Sequence, residues 1–179
     1  MKKIIKNYAL LIAIASVIIL VDQVTKAIVR ANIPFGAQWM PLEWLSPYFR
    51  FVHWENNGAA FGLFQQGGTL FAILAVVVAI FIAAYYPQIP QDEKLMRVSL
   101  AMQLGGALGN LIDRIVFGPV TDFISVGRFP VFNIADSSIT IGVGLLILGL
   151  LISERREKLA QGDIEDPVNN ATDVIEDQS

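Results

Sequence analysis

Two stretches of this chain offer almost nothing that water could solvate. Tyr8 to Val21 is apolar except for Ser16, and Leu70 to Tyr86 is apolar throughout and is stopped by Pro87. A hydrocarbon core about 30 Å thick is crossed by a helix of about 20 such residues, and in lipid every backbone amide must find its partner within the segment. The chain therefore reads as membrane-spanning. Composition agrees: charged residues are 16% and apolar residues 54% of 179 positions, where a soluble domain carries about 25% charged residues.

The first run follows three lysines, which suits a cleaved signal peptide. It continues, however, past Asp22 through Val24, Ala27, Ile28 and Val29 without a small-x-small cleavage site, and an uncleaved helix over 7–29 is the better reading. Helices are expected at 70–86, at 95–117, where Gln103, Asn110, Asp113 and Arg114 interrupt the apolar pattern, and at 134–152, before Glu154, Arg155 and Arg156. The fold class is thus an all-α polytopic membrane protein of four transmembrane helices in a single domain, residues 1–161. Residues 162–179 hold six acids and no base, and are expected to be a disordered cytoplasmic tail. There is no cysteine, so thiol catalysis and Cys-ligated metal are excluded.

Lys and Arg set the expected orientation. With the N-terminus cytoplasmic, that side holds Lys2, Lys3, Lys6, Lys94, Arg97, Arg155, Arg156 and Lys158, and the opposite side keeps five bases. The excess favours both termini inside, leaving 30–69 and 118–132 outside. Within the first of these, Tyr48 to Trp54 has strand-like composition and Asn56-Asn57-Gly58 marks a turn. A small extracytoplasmic β-sheet between helices 1 and 2 is expected, with Trp39, Trp44 and Trp54 in the headgroup layer.

The polar residues inside the apolar runs gather at one depth. At about 1.5 Å per residue, Asp22 lies roughly 21 Å and Lys26 roughly 27 Å up a helix starting at Tyr8, and Asp113 about 24 Å up the third helix from Arg97. Asp136 opens the fourth helix at the same end. Asp22 and Lys26, four residues apart, share a helix face and can pair. Gly105 to Gly109 forms a small-residue face for close helix approach. Asn110 and Arg114 share another face, on which Arg114 can hold a carboxylate or a substrate carbonyl.

Asp122 and Asp136 are the acids with the most chemical promise. Two nearby carboxylates repel, which raises one pKa and lets the pair share a proton. A helix-cap role for Asp136, three residues after Asn133, competes with this reading, but it leaves Asp122 unexplained. No His-Glu-x-x-His or Gly-x-Ser-x-Gly is present, so a hydrolase of this sequence has only carboxylates to work with. His53 beside Trp54 reads as an interfacial residue.

Five blocks in order resemble the lipoprotein signal peptidases, the type II signal peptidases of bacteria: Asp22-Gln23-Val24-Thr25-Lys26, Asn57-Gly58-Ala59-Ala60-Phe61, Gly105 through Asn110 to Arg114, Val120-Thr121-Asp122-Phe123-Ile124, and Phe132-Asn133-Ile134-Ala135-Asp136. The resemblance spans about residues 20–140. It implies an aspartic endopeptidase that cuts diacylglyceryl-modified prolipoproteins before the lipidated cysteine, with Asp122 and Asp136 as the catalytic dyad. It further implies that Asn57, Gly106, Asn110, Arg114, Asn133, Asp22 and Lys26 bind substrate or support the site. No metal or cofactor is implied. Membrane lipids and globomycin-type inhibitors are the expected partners, nucleic acid is not, and the chain is expected to act as a monomer. The location implied is the bacterial inner membrane, with the active site on the outer-leaflet side. Two other classes compete: a proton- or ion-coupled carrier using Asp22, Lys26, Asp113 and Arg114, and a membrane scaffold in which the acids merely cap helices.

Overall fold

The structure is a computed structural model that describes residues 2–58 and 67–176, with side chains described for 7–58 and 67–159. Helix α1 (Lys2–Asn32) is followed by strand β1 (Gln38–Trp39), strand β2 (Phe49–Asn56), α2 (Gly68–Tyr85), α3 (Lys94–Val116), strand β3 (Val120–Val126) and α4 (Ile134–Glu176). Among the described residues, four helices are long and apolar enough to cross a membrane, over Asn7–Asn32, Gly68–Gln88, Lys94–Val116 and Ile134–Leu159.

Helix α3 is the axis of the bundle, packing against α1, α2 and α4. Its central place accounts for its interrupted sequence. Protein rather than lipid surrounds it, so polar side chains on it can find partners. The outward faces of α1, α2 and α4 carry exposed Leu, Ile and Val, as a lipid-facing surface requires. At the end away from Asp122, Arg97 fastens three segments. Its Nη1 donates to the Ile89 carbonyl at 3.0 Å, its Nη2 to that of Asn7 at 2.6 Å, and its guanidinium lies over the buried Tyr86 ring.

Close approach of α3 to its neighbours depends on glycine. An added Cβ at Gly106 would collide with the Ala135 carbonyl and the Ser138 and Ile139 side chains of α4, and one at Gly105 would meet Ala15 and Ile18 of α1. The small-residue face is therefore used on both sides.

The sheet corrects one expectation. It is not confined to the segment between the first two helices. Its order is β1-β2-β3, all antiparallel, and the third strand comes from 118–132, an external segment in which no strand is expected from the sequence. Val120-Thr121-Asp122-Phe123-Ile124-Ser125-Val126 is rich in β-branched and aromatic residues, and the polar Asp122 in its middle obscures the pattern. Asp122 thus sits on a strand, opposite Trp54. A one-residue register shift between Phe51 and Trp54 bulges β2 and re-aims the residues after it.

Helix α4 also outruns its expected end at Ile152. Glu154 through Gln161 are strong helix formers, and Lys158 pairs with Glu154 at 2.6 Å one turn away. The helical backbone continues to Glu176, across the segment read as a disordered tail, whose side chains lie outside the described residues.

Gly106→Ala should destabilise the protein by about 1–3 kcal/mol, the cost of overpacking a close contact. Gly144→Ala, where nothing lies within 4 Å of the added methyl, should be neutral or slightly stabilising. Thermal unfolding of the two variants in detergent checks this.

Candidate active site

The site begins with a buried charge. Lys26 of α1 and Asp22 and Asp113 of α1 and α3 are each fully buried. The Lys26 Nζ lies 2.7 Å from Asp22 Oδ2 and 3.1 Å from Asp113 Oδ2. Gln23 Nε2 donates to Asp113 Oδ1 at 3.0 Å and to the Gly109 carbonyl at 3.0 Å. The cluster reaches outward in two directions. Asp22 Oδ1 accepts from the Ala135 N–H in the first turn of α4 at 2.9 Å, and Asp113 Oδ2 accepts from the Thr121 N–H of β3 at 3.0 Å. It thereby fixes both elements that carry the aspartate pair.

The third donor of Lys26 goes to Asn110. The ammonium donates to Asn110 Oδ1 at 2.9 Å, and Asn110 Nδ2 donates to Asp136 Oδ1 at 2.7 Å. Asn133 joins the two acids. Its Nδ2 donates to Asp122 Oδ1 at 2.7 Å, and its backbone N–H to Asp136 Oδ2 at 3.3 Å. In return the Asp136 N–H donates to Asn133 Oδ1 at 2.9 Å. This is the capping box anticipated from the sequence. The cap and the carboxylate pair turn out to be compatible, because the same residue that caps α4 holds Asp122.

Asp122 is held from its other side by Asn56, whose Nδ2 donates to Asp122 Oδ2 at 2.9 Å. Asn56 is the diagonal neighbour of Asp122 across the β2–β3 ladder, within side-chain reach. Asn57 was the residue expected here, yet it is exposed, and Ala59 to Phe61 of its block lie outside the described residues. The signal for Asn56 was available, because its Oδ1 accepts from the Gly58 N–H at 2.9 Å in an Asx turn of the sort Asn-x-Gly favours. Asp113 was also missed as site support. Its spacing from Gly106 and Asn110 puts all three on one helix face, a signal obscured by the reading of Asp113 as part of a carrier.

Burial pushes the Asp122 carboxyl from 3.8 up to about 7. Repulsion from Asp136 adds to the rise, and the hydrogen bonds from Asn56 and Asn133 and the Lys26 charge oppose it. An acid so placed keeps its proton until the pH approaches neutrality and can give that proton away.

Asp136 opens onto a cavity of about 780 Å³ between α2 and α4, floored by α3, with Asp122 buried behind it. Asn110, Arg114 and Asp136 line its polar end, while Phe71, Leu74 and Val78 of α2 line its apolar length. Arg114 Nη1 donates to the Asn110 carbonyl at 3.3 Å, and its buried Nε has no partner among the described residues. Of the sequence-selected residues, Asp22, Lys26, Gly106, Asn110, Arg114, Asn133, Asp122 and Asp136 are brought together; Asn57 is adjacent.

A helical membrane bundle with two hydrogen-bonded carboxyls at one end of an apolar groove is the framework of an intramembrane hydrolase. The chain belongs to the signal peptidase II family: the family model described as "Signal peptidase (SPase) II" matches residues 14–152. It is 42% identical over 139 residues to the lipoprotein signal peptidase of Moorella thermoacetica, covering 78% of this chain and 91% of that protein. With the lipoprotein signal peptidase of Staphylococcus aureus it shares 38% identity over 153 residues, 82% and 92% of the two chains. A solved bacterial membrane enzyme superposes with a TM-score of 0.74 at 36% identity, over 80% of this chain and 88% of that one.

Lys26→Met should cost about 3–5 kcal/mol by leaving buried carboxylates without their cation. Adding Asp113→Asn should restore part of the loss. A double-mutant cycle on thermal stability checks this, and additive effects would dismiss the cluster as a unit.

Proposed function

We propose that this chain is a membrane aspartyl endopeptidase that removes signal peptides from diacylglyceryl-modified prolipoproteins, cutting just before the lipidated cysteine. The observation that carries the mechanism is the Asn133 bridge between Asp122 and Asp136. It supports a pair of carboxyls held ready to share one proton around a water.

Asp136 is the base in this reading. It is fixed at the N-terminus of α4, where the helix dipole favours an anion, and it takes a proton from water. Asp122 is the acid. Held neutral by burial, it polarises the scissile carbonyl and then protonates the departing amine. Arg114 lends its unpartnered donor to the substrate backbone beside the cut. Lys26 and Asp22 position Asn110 and the start of α4 and do not touch substrate. The groove between α2 and α4 admits the apolar signal helix sideways from the bilayer.

Topology follows the same reading: both termini cytoplasmic, and the sheet with exposed Trp54, together with exposed Trp44 in the β1–β2 connection, in the outer leaflet of a bacterial inner membrane. The substrate's own lipid keeps it at that depth. The chain acts as a monomer among membrane lipids, and a globomycin-type peptide would compete for the groove.

The deciding experiment is cleavage of a diacylglyceryl prolipopeptide by purified protein, followed by mass. Asp122→Asn and Asp136→Asn should each lower kcat by at least about 10³-fold while remaining folded. Near-normal cleavage by either variant would return the acids to capping.

Protonation gives a second expectation. The folded chain keeps a proton on Asp122 up to about pH 7, so cleavage should decline as pH rises through that value. Between about pH 4 and 7 the folded state holds a proton that the unfolded state has lost, and stability drawn from Asp122 falls with rising pH. Asp122→Asn should therefore be more thermostable relative to wild type at pH 8 than at pH 5, despite its inactivity.

A further inference from the structure

Along its apolar length the groove contains a polar side chain, Gln103, whose Nε2 has no partner among the described residues. Gln103 lies on α3 seven residues before Asn110, two turns away on the same face, and both line the cavity. Its Nε2 is buried and has no hydrogen-bond partner among the described residues. The hydroxyls on the facing α4 wall are committed: Ser137 Oγ donates to the Asn133 carbonyl and Thr140 Oγ1 to that of Asp136, each at 2.9 Å. The stem of Gln103 crosses Gly142 of α4 so closely that an added Cβ there would lie 2.9 Å from its Cγ. Gly142 thus makes room for a side chain whose amide finds nothing to bind within the described protein. A buried, unmet donor costs free energy, and an apolar residue would line an apolar groove better.

The chemistry proposed for the site supplies an occupant. A peptide cannot be cut while helical, because its scissile carbonyl must leave the helix ladder to reach the acids. The residues just before the cut are therefore unwound at membrane depth, where an unpaired backbone group is tolerated only if protein satisfies it. Gln103 stands roughly 10 Å from Asn110 along the helix axis, at about 1.5 Å per residue. An extended chain covers that distance in about three residues. We propose that Gln103 is a substrate-binding residue whose amide pairs with the unwound backbone of the signal peptide about three residues before the scissile bond, marking where helix gives way to extended chain. This rests on the reading of the groove as the signal-peptide site.

The test compares full-length wild type with Gln103→Leu and Gln103→Met, both of which keep the bulk of the side chain. The substrates are a diacylglyceryl prolipopeptide and the same peptide with an ester in place of the amide about three residues before the cut, whose carbonyl is the weaker acceptor for the Gln103 Nε2–H. Both variants should raise KM about three- to tenfold, the worth of one net hydrogen bond, with kcat nearly kept and thermal stability unchanged or higher. The ester should weaken wild type more than either variant. An unchanged KM, or an ester penalty equal in all three proteins, overturns the proposal, as does a loss of thermal stability that accounts for the loss of activity. A lipid with ether-linked chains that abolishes the difference between wild type and variants, where the ester peptide does not, would assign the amide to the lipid and equally overturn it. Failure of wild type to cut the all-amide substrate would instead overturn the signal-peptidase reading, and this proposal with it.

Discussion

The end of the molecule that carries the aspartate pair is organised around one ammonium group removed from water. Lys26 is fully buried, and burying an isolated charge is expensive enough that it must be surrounded by partners. Its partners are Asp22, Asp113 and Asn110. Each spends its remaining capacity on something else: Asp22 on the first turn of α4, Asp113 on β3, and Asn110 on Asp136. A single cation therefore fixes the relative position of two helices, the start of a third and a strand. The aspartate pair sits where those elements converge. A buried ion pair of this type is weak evidence of stability, and here its evident contribution is alignment.

The carboxylates are handled differently from the lysine. Among the described residues no cation touches Asp122; its partners are the amides of Asn56 and Asn133. Amides hold a carboxyl in place without forcing it to ionise, which leaves burial and the neighbouring Asp136 free to raise its affinity for a proton. Placing the charge-rich cluster one layer behind the amide layer separates rigid support from a carboxyl left free to hold a proton.

Much of this was legible from residue order. The four helices follow from apolar runs, and the Asp22–Lys26 pair follows from a spacing of four. The common depth of Asp22, Lys26, Asp113 and Asp136 follows from counting rise per residue. What escaped was long-range pairing. Strand β3 was hidden because Asp122 breaks its apolar pattern and its partner β2 is more than sixty residues away in sequence. The choice between Asn56 and Asn57 depends on the β2 bulge, which turns one of two identical adjacent side chains toward Asp122. The extended α4 was missed because the end of an apolar run marks the edge of a membrane, whereas a helix ends only where its backbone is capped or broken.

The two acids arrive on different kinds of element: Asp122 on a strand laid against β2, and Asp136 at the start of α4, the last of the apolar helices. Neither segment contains both, and the residue that bridges them, Asn133, takes its position from the docked end of α4. A chain still being threaded into the bilayer, with α4 not yet in place, has one carboxyl and no pair. If the pair works as proposed, hydrolytic competence is the last thing this architecture acquires, because it waits for α4 to dock.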